Sequence, residues 1–193
     1  MAPGKRGLQR GLKGRERTVI LFEDEMIVTE TPPLRAAWAR VGHQAEVPMT
    51  GNRAKRVMYA VINVKTGHVL LHDSATWSQV DFQYLLRKIR QEWRGWRIVL
   101  FLDRGSPHTA NDSKNLARNL KIELRWLPTA CPELNAVDHL WRHTKADVSA
   151  NEPTPKVMKT VSRIRDYITS LTPEERLRKA GVLSDDFWLR NVL

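Results

Sequence analysis

The segment RIVLFLD, residues 97–103, decides how this chain folds. Ile98, Val99, Leu100, Phe101 and Leu102 are apolar without alternation, so both faces of a strand here are covered, as in the middle of a parallel sheet. The run ends in Asp103, and Gly105 and Pro107 turn the chain. Upstream, Ser78 is suited to cap a helix in which Phe82, Leu85, Leu86, Ile89 and Trp93 recur at helical spacing until Gly95. Earlier still, residues 56–64 read as a buried strand, Lys65-Thr66-Gly67 as a tight turn and residues 68–72 as the hairpin partner. Residues 18–22 form a first strand that ends in Glu23-Asp24-Glu25. Residues 26–55, broken by Pro32-Pro33, Gly42, Pro48 and Gly51, read as irregular.

Downstream, residues 109–120 form a helix. Residues 122–126 alternate cleanly, as a half-buried strand nearer an edge does. Pro132 opens a helix running to about Val148, with Leu134, Val137, Trp141 and Val148 as its apolar stripe. Two further helices start at Thr154-Pro155 and at Thr172-Pro173-Glu174-Glu175, the second with Pro at N1 and a capping box. The order of elements predicts an α/β fold with a mixed five-stranded sheet flanked by helices, the first and fourth strands adjacent at its centre. Three units are expected: a flexible basic arm (1–17), a domain built on the sheet (18–150) and a C-terminal helical extension packed on it (151–193).

Composition narrows the function. The longest apolar run, residues 57–62, is far short of the roughly 20 residues of a membrane span, and no signal peptide is legible. Cys131, the single cysteine, excludes a disulfide framework and fits a reducing cytoplasm. Lys and Arg total 32 against 21 Asp and Glu, a net charge of +11. The arm holds Lys5, Arg6, Arg10, Lys13, Arg15 and Arg17 against Glu16, so the rest of the chain still carries +6. A body that stays basic without its tail points to a polyanion, most simply DNA.

Two acids after adjacent buried strands, Asp24 and Asp103, repel unless a cation sits between them, and hard oxygen donors select Mg²⁺ or Mn²⁺. Asp138, on the margin of the apolar stripe, completes a set able to hold a pair of ions for phosphoryl transfer. By alternation Glu23 and Glu25 face away from Asp24 and read as spectators. Asp73 reads as a turn acid and His108 as a helix cap. His139 and His143 have zinc-like spacing without the HExxH glutamate and read as solvated. Trp38 is the best exposed aromatic, whereas Trp77, Trp93, Trp96 and Trp126 read as core or rim.

The segments FEDE (22–25), FLDRGSPH (101–108) and LPTACPELNAVDHLWRHTK (127–145) resemble the catalytic core of mariner-like and bacterial insertion-sequence transposases, the DDE/D superfamily with a ribonuclease H-like fold. Asp24-Glu25 matches the family's first motif, Asp103 with His108 its second, and the run from Cys131 to Asp138 with Trp141 its third. Thirty-four residues separate Asp103 from Asp138, the family's spacing, and Trp38 with Gly42 matches a further feature. The resemblance covers about residues 18–148. It implies Asp24, Asp103 and Asp138 as catalytic metal ligands, Mg²⁺ or Mn²⁺ as cofactor, and His108, Glu25 and Asn135 near the site. It also implies DNA cleavage and strand transfer on a transposon end and a target, by a homodimer assembled on the DNA. The arm bases, Arg104, Arg142 and Lys145 are the expected DNA contacts. In a bacterial cell the enzyme would be cytoplasmic and nucleoid-associated.

Departures are Arg104 where the family has Asn, Ala136 where it has Pro, and Asp138, the mariner choice, where the insertion-sequence branch has Glu. No helix-turn-helix domain precedes the core. The expectation is therefore the catalytic half of a split transposase, whose partner chain carries the DNA-reading domains. Two alternatives stand beside it: an impaired remnant acting as a basic nucleic-acid-binding protein, and a non-transposing ribonuclease H-like nuclease.

Overall fold

The computed structural model describes residues 17–193 except 45, 48–50, 52 and 155, so the arm before Arg17 lies outside the described residues. The sheet has five strands in the order β3-β2-β1-β4-β5. These are β1 (Thr18–Thr29), β2 (Lys55–Asn63), β3 (Val69–Ser74), β4 (Arg97–Leu102) and β5 (Ile122–Trp126). β1 pairs antiparallel with β2 and parallel with β4, and β4 pairs parallel with β5. This is the mixed sheet expected, with β1 and β4 side by side.

Alternation splits the core into two layers. Val19, Leu21, Tyr59, Val61, Ile98 and Leu100 face helices α1 (Gln79–Glu92) and α3 (Asn111–Asn119). Ile20, Phe22, Met58, Ala60, Val99 and Phe101 face α4 (Ala136–Thr144) and α5 (Val157–Ser170). The segment after α6 (Pro173–Lys179) closes this second layer with Val182, Trp188 and Leu189. Thr172 caps α6 in the expected capping box with Glu175, and Ser78 caps α1.

Several boundaries differ from the sequence reading. β1 runs to Thr29, not Phe22. Met26 and Val28 are buried and Ile27 and Thr29 exposed, a period-two pattern sustained by pairing with β2. Its pairing with β4 stops at Phe22–Phe101. Asp24 is therefore not at a strand end; it lies inside β1, just past the point where its parallel neighbour stops. β3 is shifted to Val69–Ser74, and Asp73 is not a turn acid but is ion-paired to Arg56 and Arg165. The expected helix over 109–120 is two helices, α2 (Ser106–Thr109) and α3, broken at Ala110 with ψ 139°. The expected helix over 132–148 is three pieces: a 3-10 turn at Pro132–Leu134, α4, and a π-helical turn at Lys145–Ser149. Asn135 makes the first break, because its side chain accepts from Val137 N and caps α4. Among the described residues no helix is long and apolar enough to cross a membrane.

Candidate active site

Asp24, Asp103 and Asp138 line one cleft of about 360 Å³, together with Arg104, Gly105, Asn135 and the loop from Leu127 to Pro132. The cleft exists because β4 ends at Leu102 while β1 continues, leaving room beside residue 24. Asp24 lies on the same face of β1 as Phe22 and looks toward α4. Asn135 fixes that helix on the strand: its Nδ2 donates to the Glu23 carbonyl at 2.9 Å, while its Oδ1 caps the helix. Asp138 thus enters the cleft from the first turn of α4.

Burial, then Glu25, Asp138 and Asp103, push the Asp24 carboxyl up to about 8. No basic side chain is among those causes, so burial and three neighbouring acids act together on Asp24. The other two acids are drawn to protein partners. Asp103 Oδ1 accepts from His108 Nδ1 and from Gly105 N, each at 2.8 Å, and the histidine bond foremost holds it below the ordinary carboxylate range. Asp138 Oδ2 accepts two bonds from Arg142, at 2.9 and 2.8 Å. Arg142, expected as a DNA contact, is thus paired with one of the acids.

His108 is not a helix cap. It is buried, with Nδ1 on Asp103 and Nε2 on Glu25 Oε1 at 2.8 Å. Burial alone would lower its basicity, but Glu23, Asp103 and Glu25 outweigh it and raise it to about 11, so it is an imidazolium. Glu23 and Glu25 do face away from Asp24, yet they are not spectators. Glu25 accepts from His108 and from Trp77 Nε1, and Glu23 Oε2 lies 3.5 Å from His108 Nε2. Glu23 is fully buried with neither oxygen hydrogen-bonded, and burial followed by Glu25 raises its carboxyl well above the usual range. Among the described residues, the three ligating side chains with atoms within 4.8 Å of one another are Glu23, Glu25 and His108, not the three aspartates. The aspartates share the cleft, with Asp103 bonded to His108 and Asp138 to Arg142.

Sequence reading missed Trp77 and Gly105. A Cβ on Gly105 would lie 3.0 Å from Trp77, 3.1 Å from Asp103 Oδ1 and 3.2 Å from His108 Nδ1. Gly105→Ala is therefore expected to cost about 1–3 kcal/mol by overpacking, read as a lowered melting temperature. An unchanged melting temperature would mean the loop yields freely. The legible signal was the span of five residues from Asp103 to His108 across a Gly-Ser-Pro turn, which brings the ring back onto the acid.

Among the described residues, the remaining candidates lie outside the lining of this cleft. Lys145 lines a different groove, with Met26 and Thr160. His139 Nε2 meets the Glu133 carbonyl at 3.1 Å, and His143 is exposed. Trp38 is fully exposed, Trp93 is core, and Trp77 and Trp96 are about half exposed. Lys5, Arg6, Arg10, Lys13 and Arg15 lie outside the described residues.

An uncharacterized 39 kDa protein of insertion element IS630 from Shigella sonnei is 22% identical over 156 residues, 80% of this chain and 46% of that protein. The chain thus spans about half the length of that relative. The Mos1 transposase paired-end complex with left transposon end superposes with a TM-score of 0.69 at 13% identity, over 100% of this chain and 63% of that one. The catalytic domain of Mos1 mariner transposase gives 0.59 at 16% identity, over 90% of this chain and 80% of that one. These likenesses establish the ribonuclease H-like fold. Residues 19–160 match the model of the DDE superfamily endonucleases, and the chain belongs to that family.

Proposed function

We propose that the chain is the catalytic part of a DDE/D transposase that nicks DNA in the presence of a divalent ion and joins the freed 3′-hydroxyl to a target. The observation that carries this reading is the convergence of Asp24, Asp103 and Asp138 on one cleft, with the Asp24 carboxyl pushed up by burial and by its acidic neighbours. The donor set fits the implied ion. Three carboxylates are hard oxygen ligands of the kind Mg²⁺ and Mn²⁺ take, and a cation would relieve the repulsion that raises Asp24. When bound there, such ions activate the attacking oxygen and stabilise charge on the phosphate.

The chain's own residues do the rest. His108 and Gly105 N–H orient Asp103, as groups behind a metal ligand commonly do. Asn135 ties the Asp138 helix to the first strand. Both Arg142 bonds fall on Asp138 Oδ2, which leaves Oδ1 as the oxygen offered to an ion, and Arg142 and Arg104 are the proposed phosphate contacts at the cleft. Lys5, Arg6, Arg10, Lys13, Arg15, Arg17 and Lys145 are the further DNA contacts of this proposal. The likeness to a Mos1 paired-end complex with a transposon end supports action on DNA, and a homodimer on that DNA and a partner chain bearing helix-turn-helix domains belong to this proposal. The boundaries 18–150 for the catalytic domain and 151–193 for the extension belong to this proposal, as does action on nucleoid DNA in the cytoplasm.

The test is nicking of supercoiled plasmid. Nicking is expected with Mg²⁺ or Mn²⁺ and none with EDTA, with binding that weakens steeply as salt rises. One observation favours a second reading, an impaired remnant that only binds: Arg142 directs two hydrogen bonds onto Asp138 Oδ2, one of the carboxylate oxygens an ion would need. Salt-dependent binding with no nicking at any Mg²⁺ or Mn²⁺ concentration would select it.

A further inference from the structure

Trp188 lies outside the residues 19–160 that define the family match, in the segment after α6, yet it is buried. Its indole meets β1, β4 and the 3-10 turn that leads into α4. The ring packs edge-on against Phe22, centroids 6.0 Å apart at 78°, two residues before Asp24 on the same face of β1. It packs edge-on against Phe101, 5.4 Å apart at 87°, two residues before Asp103 on β4. Its Nε1 donates to the Leu134 carbonyl at 3.0 Å, in the turn that leads through Asn135 to Asp138. Phe22 and Phe101 are themselves stacked 5.0 Å apart, so the indole abuts a paired-ring platform directly behind the acids.

The first two acids are registered to each other by backbone hydrogen bonds of the β1–β4 ladder. The third comes from a helix, and its registry relies on side-chain contacts. Asn135 supplies one, and the Trp188 N–H supplies another from the opposite end of the chain. Edge-to-face aromatic contacts are directional, so they fix angle as well as distance. A shift of about 1 Å in a positioned group costs on the order of 10²-fold in rate.

We propose that Trp188 is a positioning residue that sets the spacing of Asp138 from Asp24 and Asp103, so that the segment after α6 is part of the cleft's ion-binding apparatus. This rests on the reading of the three aspartates as metal ligands. Trp188→Phe keeps an aromatic ring and removes the N–H. The full chain carrying it is tested for Mn²⁺ affinity by calorimetry without DNA, for kcat and KM in plasmid nicking, and for melting temperature. Mn²⁺ affinity is expected to fall roughly 10-fold and kcat with it, while KM for DNA stays within about twofold. Val161→Ala, which trims the same core layer far from the cleft, supplies the control: it should lower the melting temperature and leave Mn²⁺ affinity unchanged.

Wild-type Mn²⁺ affinity and kcat in Trp188→Phe would overturn the proposal, as would an equal loss of affinity in Val161→Ala. If Trp188→Phe does not fold, Trp188→His, which keeps a ring N–H, is read by the same measurements. It should retain more Mn²⁺ affinity than Trp188→Leu, and equality between them would overturn the proposal. Asp103→Asn runs alongside: if it binds Mn²⁺ and nicks like wild type, the metal-ligand reading itself has failed, independently of Trp188.

Discussion

Asp103→Asn is expected to reduce metal-dependent nicking by on the order of 10³-fold or more while leaving the fold and DNA binding in place. The reason is isosterism at a site with fixed donors. Asp103 Oδ1 accepts from His108 Nδ1 and Gly105 N, and an asparagine carbonyl can accept both. The side chain therefore stays where it is and loses only its charge. With the negative charge gone, the hard-ligand set falls from three carboxylates to two, and the imidazolium at His108 loses its closest counter-charge on that side. Nicking is measured at saturating DNA across a Mg²⁺ titration, beside binding at low salt. Activity above a tenth of wild type would show that Asp103 holds no essential ion.

The second large effect runs the opposite way for stability. Asp24→Asn is expected to abolish nicking and yet to stabilise the ion-free protein at neutral pH. In an unfolded chain an aspartate titrates near 3.9, whereas Asp24 in the fold is raised to about 8 by burial and by Glu25, Asp138 and Asp103. Between those values the folded state binds more protons than the unfolded state, so this group's contribution makes stability fall as pH rises from about 4 to about 8. At about 1.4 kcal/mol per unit, the cost near pH 7 is roughly 4 kcal/mol, and an uncharged amide removes most of it. For a chain of this size that corresponds to a rise of several degrees in melting temperature. The gain, measured in EDTA, should be several-fold smaller at pH 5 than at pH 8. Added Mg²⁺ should raise the melting temperature of the wild type at pH 8 and do little for the variant. A variant that melts below wild type at pH 8 would show that Asp24 is not under charge strain.

β4 and β5 were legible to the residue because a strand covered on both faces is apolar throughout and a half-covered one alternates, and turn formers bound both. The far end of β1 was not. Glu23, Asp24 and Glu25 look like a strand terminus, and only the pairing with β2 shows that Met26 and Val28 continue the buried face. The same three acids explain why the site was half read. Which acids line the cleft followed from strand position and family spacing. The neutralising partners did not, because His108 reaches Glu25 across 83 residues and Trp77 reaches it across 52. Asn135 sat inside an apparently continuous helical pattern, and nothing local distinguishes a mid-helix Asn from one that stops a 3-10 turn and starts α4. Trp188 was not singled out at all, since its partners Phe22, Phe101 and Leu134 are brought to it by the tertiary fold alone.

The place of β1 at the middle of the sheet has a consequence for how the chain is made. Its antiparallel neighbour β2 and then β3 emerge from the ribosome soon after it, so a three-stranded meander can assemble early. Its parallel neighbour does not: Thr18 pairs with Arg97, and the whole of α1 must be synthesised before that edge is covered. In the interval the nascent meander ends in the apolar, unpaired edge of Val19, Ile20, Leu21 and Phe22. Such an edge is a template for pairing with another chain. Domains emerge at about 5–20 residues per second, so this exposure lasts for seconds. Slower initiation, fewer ribosomes per message and lower temperature should therefore raise the soluble yield more than any change to the mature surface.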